Sequence, residues 1–448
     1  MSDAEGLMWR LEKDPFLSAT FANVTIVDTP IDVDRFRRRM ERASIAVPRL
    51  RQRVQPSIGN LTPPDWVDDI EFSISRHVRH VALPAPGSLR QLLDLASQVA
   101  TTPFDRSRPL WEFIAVDGLR GGKGALVQKM HHTIADGEGS IRLSMQFLDL
   151  TRDAPEPEPL AYVPAHTPTP APLDVMQSML ADVVRRPLEG LRQLAGVLAD
   201  PVRLPSVAHD VVATVRSAAS QLNDNEPARS PLWSERSLGR RVEIIRTPLE
   251  PMKKAAKRRG GTINTALLTV AADASGAYHR EMGQPIDALR ASMAISTRTR
   301  DSGSNAFSLV RFLVPTGEMS IDDRFARIAA ATDAARVIAG GATLNRMASL
   351  TTSIPTMLLT RMARSQAEST DFATSNVRAA SFPVFIAGAE VLQNHPIGPL
   401  AGVAFNLTLM SYNGSLDMGL NIDTAAIAQP ELLRKLLVAS LRGFTRLR

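Results

Sequence analysis

The stretch "KMHHTIADGEGS", residues 129–140, sets two adjacent histidines ahead of an Asp-Gly pair, in a chain with 8 histidines among 448 residues. The run that leads into it, "GALVQKMHH" (124–132), reads as a β-strand. Side chains alternate across a strand, so Leu126, Gln128, Met130 and His132 share one face while Ala125, Val127, Lys129 and His131 share the other. The two imidazoles therefore point apart, unlike helical histidine pairs that share a face to hold zinc, and no metal is expected here. Only one ring can line a given cavity. Asp136 follows in a turn beside His132, and Gly137 tolerates a positive φ. An imidazole with an ordinary pKa of about 6.5, held at a strand end by a rigid turn, suits a general base. The bland alternative makes both rings structural and Asp136 the cap of a helix opening near Ser140. Three residue types at fixed offsets in HHxxxDG favour the chemical reading.

Outward from this strand, the N-terminal part alternates strand and helix. "ATFANVTIVD" reads as a strand, and "DVDRFRRRMERASIAV" as a helix with Phe36, Met40 and Ala43 inward and its arginines on a solvated face. Prolines 155, 157, 159, 164, 168, 170 and 172 then forbid helix and sheet, so this stretch reads as a semi-rigid extended connector. Residues 173–222 carry a helical apolar stripe at Val175, Met176, Met179, Leu180, Val183 and Val184, expected either to pack on the domains or to lie on a lipid surface. Beyond it, "RRVEIIRTP", "LRASMAIST", "NAFSLVRFLVP", "FPVFIAGAEV", "VAFNLTLMSY" and "LDMGLNID" read as strands. "NTALLTVAADASGAY", "IDDRFARIAAATDAARVIA" and "PELLRKLLVASLRGF" read as helices, the second opened by a Ser320–Asp323 capping box. The expected organisation is α/β layers twice over: an N-terminal domain at 1–153, a connector at 154–237 and a C-terminal domain at 238–448.

Bulk properties exclude several classes. Hydrophobic content of 44% with 22% charged residues supports a large core, and the absence of cysteine removes thiolate chemistry and disulfides. The net charge of +6 is modest for this length and aromatic content is 5%, so no nucleic-acid partner is expected. The acidic opening "MSDAEGLMWRLEKDPF" lacks a secretory pattern, and no run approaches the roughly 18 apolar residues of a membrane span. A cytoplasmic protein, peripheral at most on a membrane or lipid droplet, is the expectation.

"HHTIADG", together with "RPLW" (108–111), "LMWRLEKDP", "VPRLRQRV", "ASMAISTRTR", "SNV" and "FNLTLMSYNGSLDMGLNIDTAAI", resembles the bacterial wax ester synthase/diacylglycerol acyltransferase family. That family lies within the CoA-dependent acyltransferase superfamily of chloramphenicol acetyltransferase and condensation domains. The resemblance implies two chloramphenicol-acetyltransferase-like domains with mixed sheets, meeting at an active-site channel. It implies direct acyl transfer from acyl-CoA, a cosubstrate rather than a bound cofactor, to a hydroxyl acceptor, with His132 as base and no acyl-enzyme. Diacylglycerol is the first expected acceptor and long-chain alcohols the second, in a monomer or homodimer. By the same resemblance Asp136 pairs with Arg298, His131 braces the strand, and Ser375, Asn376 and Asn264 are oxyanion or channel groups. Pro109, Leu110 and Trp111 shape the channel wall or the domain contact.

Three positions depart from the family pattern: Thr265 after Asn264, Arg378-Ala379 after "SNV", and Ala294 before "IS". They bear on acceptor preference. They also motivate the alternative of a lipid-binding or lipid-droplet surface protein without turnover.

Overall fold

The structure is a computed structural model, and it describes residues 1–56, 64–135, 137–163, 228–296, 307–339 and 356–446. Three readings fall outside those residues: Asp136, Arg298, and the apolar stripe of 173–222.

The strands are β1 (Thr20–Val27), β2 (Gln52–Gln55), β3 (Asp65–Asp68), β4 (Val78–Ala82), β5 (Trp111–Leu119), β6 (Lys123–His131), β7 (Leu148–Asp149) and β8 (Arg240–Pro248), followed by β9 (Ala288–Ser296), β10 (Phe307–Pro315), β11 (Phe372–Arg378), β12 (Phe385–Ile386), β13 (Ala389–Ile397), β14 (Phe405–Tyr412) and β15 (Ser415–Asp423). The α-helices are α1 (Asp3–Leu11), α2 (Val33–Ala46), α3 (Ile74–His77), α4 (Leu89–Thr101), α5 (Gly137–Ser144), α6 (Leu249–Arg258), α7 (Ile263–Glu281), α8 (Ile321–Ala339), α9 (Thr356–Glu368) and α10 (Pro430–Thr445). A seven-stranded sheet runs β4-β5-β6-β1-β13-β12-β7, and a six-stranded sheet runs β10-β9-β11-β14-β15-β8. Both are mixed, as expected: β4 is parallel to β5 in the first, and β11 is parallel to β9 and β14 in the second.

The division by sequence does not match the sheets. β12 and β13 come from the C-terminal part yet belong to the first sheet, where β13 pairs antiparallel with β1. Local pattern could not show this, because "FPVFIAGAEV" reads as one strand. In the structure Ala387 (φ 47) and Gly388 (φ 90) reverse the chain, so Ile386 faces Ala389 across a two-residue hairpin. A left-handed alanine costs about 1 kcal/mol and is kept only where its surroundings demand it.

Three apolar clusters follow from strand alternation. Leu126, Met130, Trp111 and Phe113 fill one face of the first sheet. Ala125, Val127, Ile114 and Val116 fill the other, with Leu92 and Leu93 of α4 and with Val242 and Ile244 of β8. That second cluster joins the two sheets. The third lies under the second sheet around α7, α8 and α10. α7 is buried on nearly all sides because its residues are small, and a Cβ at Gly276 would lie 2.0 Å from the Thr316 carbonyl. The Ser320–Asp323 contact opening α8 is present, with the Asp323 N–H 3.1 Å from Ser320 Oγ.

The arginines of α2 are not simply a solvated face, since Arg39 is buried while Arg38 stays exposed. Arg35, Arg39 and Arg42 donate to the carbonyls of Ala154, Pro155 and Glu158, while Arg38 pairs with Glu156. Positions 35, 38, 39 and 42 share one side of a helix, so the row grips the proline-rich segment that follows β7. An extended proline segment leaves its carbonyls without partners, and guanidinium groups supply the donors.

Candidate active site

β6 lies between β5 and β1, deep in the first sheet, and ends at the histidine pair. Its register sets His131 opposite Thr20 and Met130 opposite Phe21. The backbone is held on both sides where the pairing stops: the His131 N–H donates to the Leu110 carbonyl at 3.0 Å and the His132 N–H to Ala19 at 3.2 Å. The chain then turns, with Ile134 N–H 3.0 Å from the His131 carbonyl, and α5 begins at Gly137.

The two rings part as alternation predicts. His131 is 1% exposed; its Nδ1 lies 2.7 Å from Thr133 Oγ1, and its Nε2 lies 3.2 Å from Glu12 Oε2. His132 is half-buried on the opposite face, its ring tilted against Phe21 at a centroid distance of 4.7 Å. Among the described residues no group of three or more acidic or histidine side chains is arranged to hold a metal ion.

Glu12 is a residue that motif reading passed over, although it stands in the opening "LMWRLEKDP". Burial pushes its carboxyl up, but the hydrogen bond and charge of His131, the Ser18 hydroxyl and the Ala19 N–H outweigh that and hold its pKa below the ordinary value. Lys129, on the His131 face, is also buried; its ammonium donates to the Thr102 carbonyl at 2.5 Å and lies 4.0 Å from the Phe104 ring centre. Nothing in the spacing marks these two, because their environment comes from segments distant in the chain.

Pro109, Leu110 and Trp111 are buried in the first core. The Trp111 indole N–H donates to Leu50 at 2.9 Å and its ring stacks on His77 at 4.6 Å. With Leu110 receiving the His131 N–H, this segment anchors the end of β6.

In the second sheet, Ser375 and Asn376 lie on β11, one of its inner strands. Asn376 Nδ2 donates to Asn264 Oδ1 at 2.6 Å, so two of the predicted groups meet. Ser375 Oγ donates to Thr408 Oγ1 at 2.9 Å, and Thr408 donates on to Asn406. The two halves of the prediction are joined by packing: α5, which follows the histidine turn, rests on β11. The departures are absorbed locally. Thr265 is 4% exposed, and its N–H is capped by Thr262 at the start of α7. Ala294 pairs in register with Leu309, and the Ala379 N–H donates to Ser411.

Residues 2–267 match the wax ester synthase/diacylglycerol acyltransferase catalytic domain, and residues 303–444 match the C-terminal domain of the same family. The chain belongs to the wax ester synthase/diacylglycerol acyltransferase family. A Mycobacterium tuberculosis H37Rv protein named as a candidate diacylglycerol O-acyltransferase is 33% identical over 445 residues, covering 97% of this chain and 89% of that protein. The fold is shared with the wax ester synthase/diacylglycerol acyltransferase of Marinobacter aquaeolei VT8, at a TM-score of 0.65 and 20% identity over 95% of this chain and 94% of that one. It is shared also with the starter condensation domain of rhizomide synthetase, solved with C8-CoA and Leu-SNAC, at a TM-score of 0.58 and 14% identity over 99% and 93% of the two chains. Within this acyltransferase family match, His131 closes β6 and His132 begins the turn that follows it.

Proposed function

We propose that this acyltransferase moves a long-chain acyl group from acyl-CoA to a hydroxyl acceptor, diacylglycerol first and long-chain alcohols second, with His132 as general base. The observation that carries the reading is the parting of the two rings. His131 is committed to Glu12 and Thr133 inside the fold, while His132 stands half-buried on the other face, beside the turn into the helix that packs on β11. The His132 imidazole takes the acceptor's hydroxyl proton as that oxygen attacks the thioester carbonyl. The tetrahedral oxyanion collapses, the C–S bond breaks, and the imidazolium returns its proton to the departing CoA thiolate. No side chain is acylated, and the order of steps balances without a cofactor.

The oxyanion needs a donor, and β11 supplies the proposed ones. The Asn376 amide group donates to Asn264, and Asn376 Oδ1 has no hydrogen-bond partner among the described residues. Turning both amides together keeps the pair and presents Asn376 Nδ2 as a donor instead. The acceptors dissolve in lipid, so the enzyme meets them as a peripheral protein at a membrane or droplet surface; among the described residues no helix is long and apolar enough to cross a bilayer.

The direct test is thiol release from palmitoyl-CoA on adding diacylglycerol or hexadecanol. His132→Ala is expected to lower the rate by about 10²- to 10⁴-fold, the usual contribution of acid-base catalysis. Equal release by the folded variant would remove His132 as the base. No release by the native chain with either acceptor would favour a lipid-binding role without turnover.

A further inference from the structure

We infer that Glu12 is a positioning residue for His132, bracketing it through two separate paths that start from one carboxylate oxygen. The inference rests on the reading of His132 as the general base. Glu12 caps the C-terminal end of α1, far from the histidines in sequence. Its Oε2 accepts the Ala19 N–H at 2.7 Å and lies 3.2 Å from His131 Nε2, while its Oε1 accepts the Ser18 hydroxyl at 2.6 Å. Ala19 in turn accepts the His132 N–H through its carbonyl, at 3.2 Å. One path therefore runs from Oε2 through a single residue's backbone to the main chain of His132. The other runs through the His131 ring to the covalent neighbour of His132.

The chemistry of each contact requires an acceptor at Glu12. A carboxylate oxygen only accepts, so His131 Nε2, 3.2 Å from Glu12 Oε2, donates to it, while Thr133 occupies Nδ1 on the other side of the ring. The Ala19 N–H is a second donor converging on the same oxygen. Arg106 and Lys129 lie close enough for their charges to act with Glu12, so the carboxylate is ionised among cations and does not compete for a proton. Glu12 sits on the His131 side of the strand and does not reach the face that carries His132. Its influence is on where the base stands, and a displacement of about 1 Å costs on the order of 100-fold in rate.

The test measures steady-state thiol release from palmitoyl-CoA with diacylglycerol by the full chain. Glu12→Ala is expected to lower kcat by about 10- to 100-fold with KM for acyl-CoA changed by less than about threefold. Glu12→Gln, which retains an acceptor oxygen for Ala19 and His131 and an amide for Ser18, should recover kcat to within about fivefold of native. Native kcat in Glu12→Ala, or a loss expressed wholly in KM, would overturn the inference. Should Glu12→Ala fail to give a native melting transition, His131→Asn, which severs only the ring path, decides: about tenfold lower kcat at native KM supports the bracket and native kcat overturns it. His132→Ala runs alongside. Native turnover by that variant would sink the base assignment itself, separately from the outcome at Glu12.

Discussion

Lys129 shows how far one side chain can depart from what its type suggests. Burial lowers its pKa to about 8, against the pull of Glu112 and Glu12. An unfolded lysine titrates near about 10.4, so between about pH 8 and that value the unfolded chain binds a proton that the folded chain does not. Stability contributed by this group therefore rises with pH across the window, and below pH 8 the full cost of a buried ammonium is present. Lys129→Met, similar in volume, is expected to melt a few degrees higher than native at pH 7, with the gap closing by pH 10. A gap that is absent at pH 7 or unchanged at pH 10, in thermal melts of both proteins, would show that the ammonium is not penalised. The alternation of "ALVQKMHH" placed Lys129 beside His131; its partners, Thr102 and Phe104, come from another segment.

At the scale of elements, the grip of α2 on the proline-rich segment separates contacts that matter from those that decorate. Arg39 and Asp149 form an ion pair at 2.7 Å with side chains 6% and 5% exposed, and burial raises the Asp149 pKa against the opposing charges of Arg39 and Arg35. Arg39→Ala leaves that carboxylate without its main partner and is expected to destabilise by about 3–5 kcal/mol. Arg42→Ala removes one exposed contact to the Glu158 carbonyl, with an expected cost of about 0–1 kcal/mol. Urea midpoints of the two variants check the ranking, and equal midpoints would refute it. Loss of Arg39 should also hasten proteolysis between residues 154 and 163. The helix itself was legible from its period, and in the structure Asp32 caps it by accepting the Arg35 N–H. What its polar side faces was not, because periodicity identifies an apolar face and says nothing of which carbonyls lie opposite the other.

For the whole molecule the decisive feature is the β12–β13 hairpin inserted in the first sheet, which ties the C-terminal part to β1 and lays β13 against β14 and β15. The close approach depends on Gly419 of β15, where a Cβ would lie 2.0 Å from the Pro396 carbonyl on β13. Backbone cannot swing aside as a side chain can. Gly419→Ala is expected to destabilise by about 1–3 kcal/mol through overpacking between the sheets, read as a lower urea midpoint. An unchanged midpoint would mean the sheets slide freely there. Asp417, two residues away on the same strand, accepts the Asn394 N–H at 2.7 Å and marks the same seam.

Alternation and helical period, which are local, settled the class of the fold, most of its elements and the opposite directions of His131 and His132, while short motifs carried the resemblance to the family. They did so because each depends on residues within a few positions of one another. Three matters were decided by tertiary structure alone: that strands from the C-terminal part complete the first sheet, that Glu12 reaches His131 and Ala19, and that Asn264 meets Asn376 beside the helix following the histidine turn. Each is a contact between segments far apart in the chain, where a hydrogen-bond donor finds its acceptor only after the sheets have packed, and no periodicity in one sequence records that pairing.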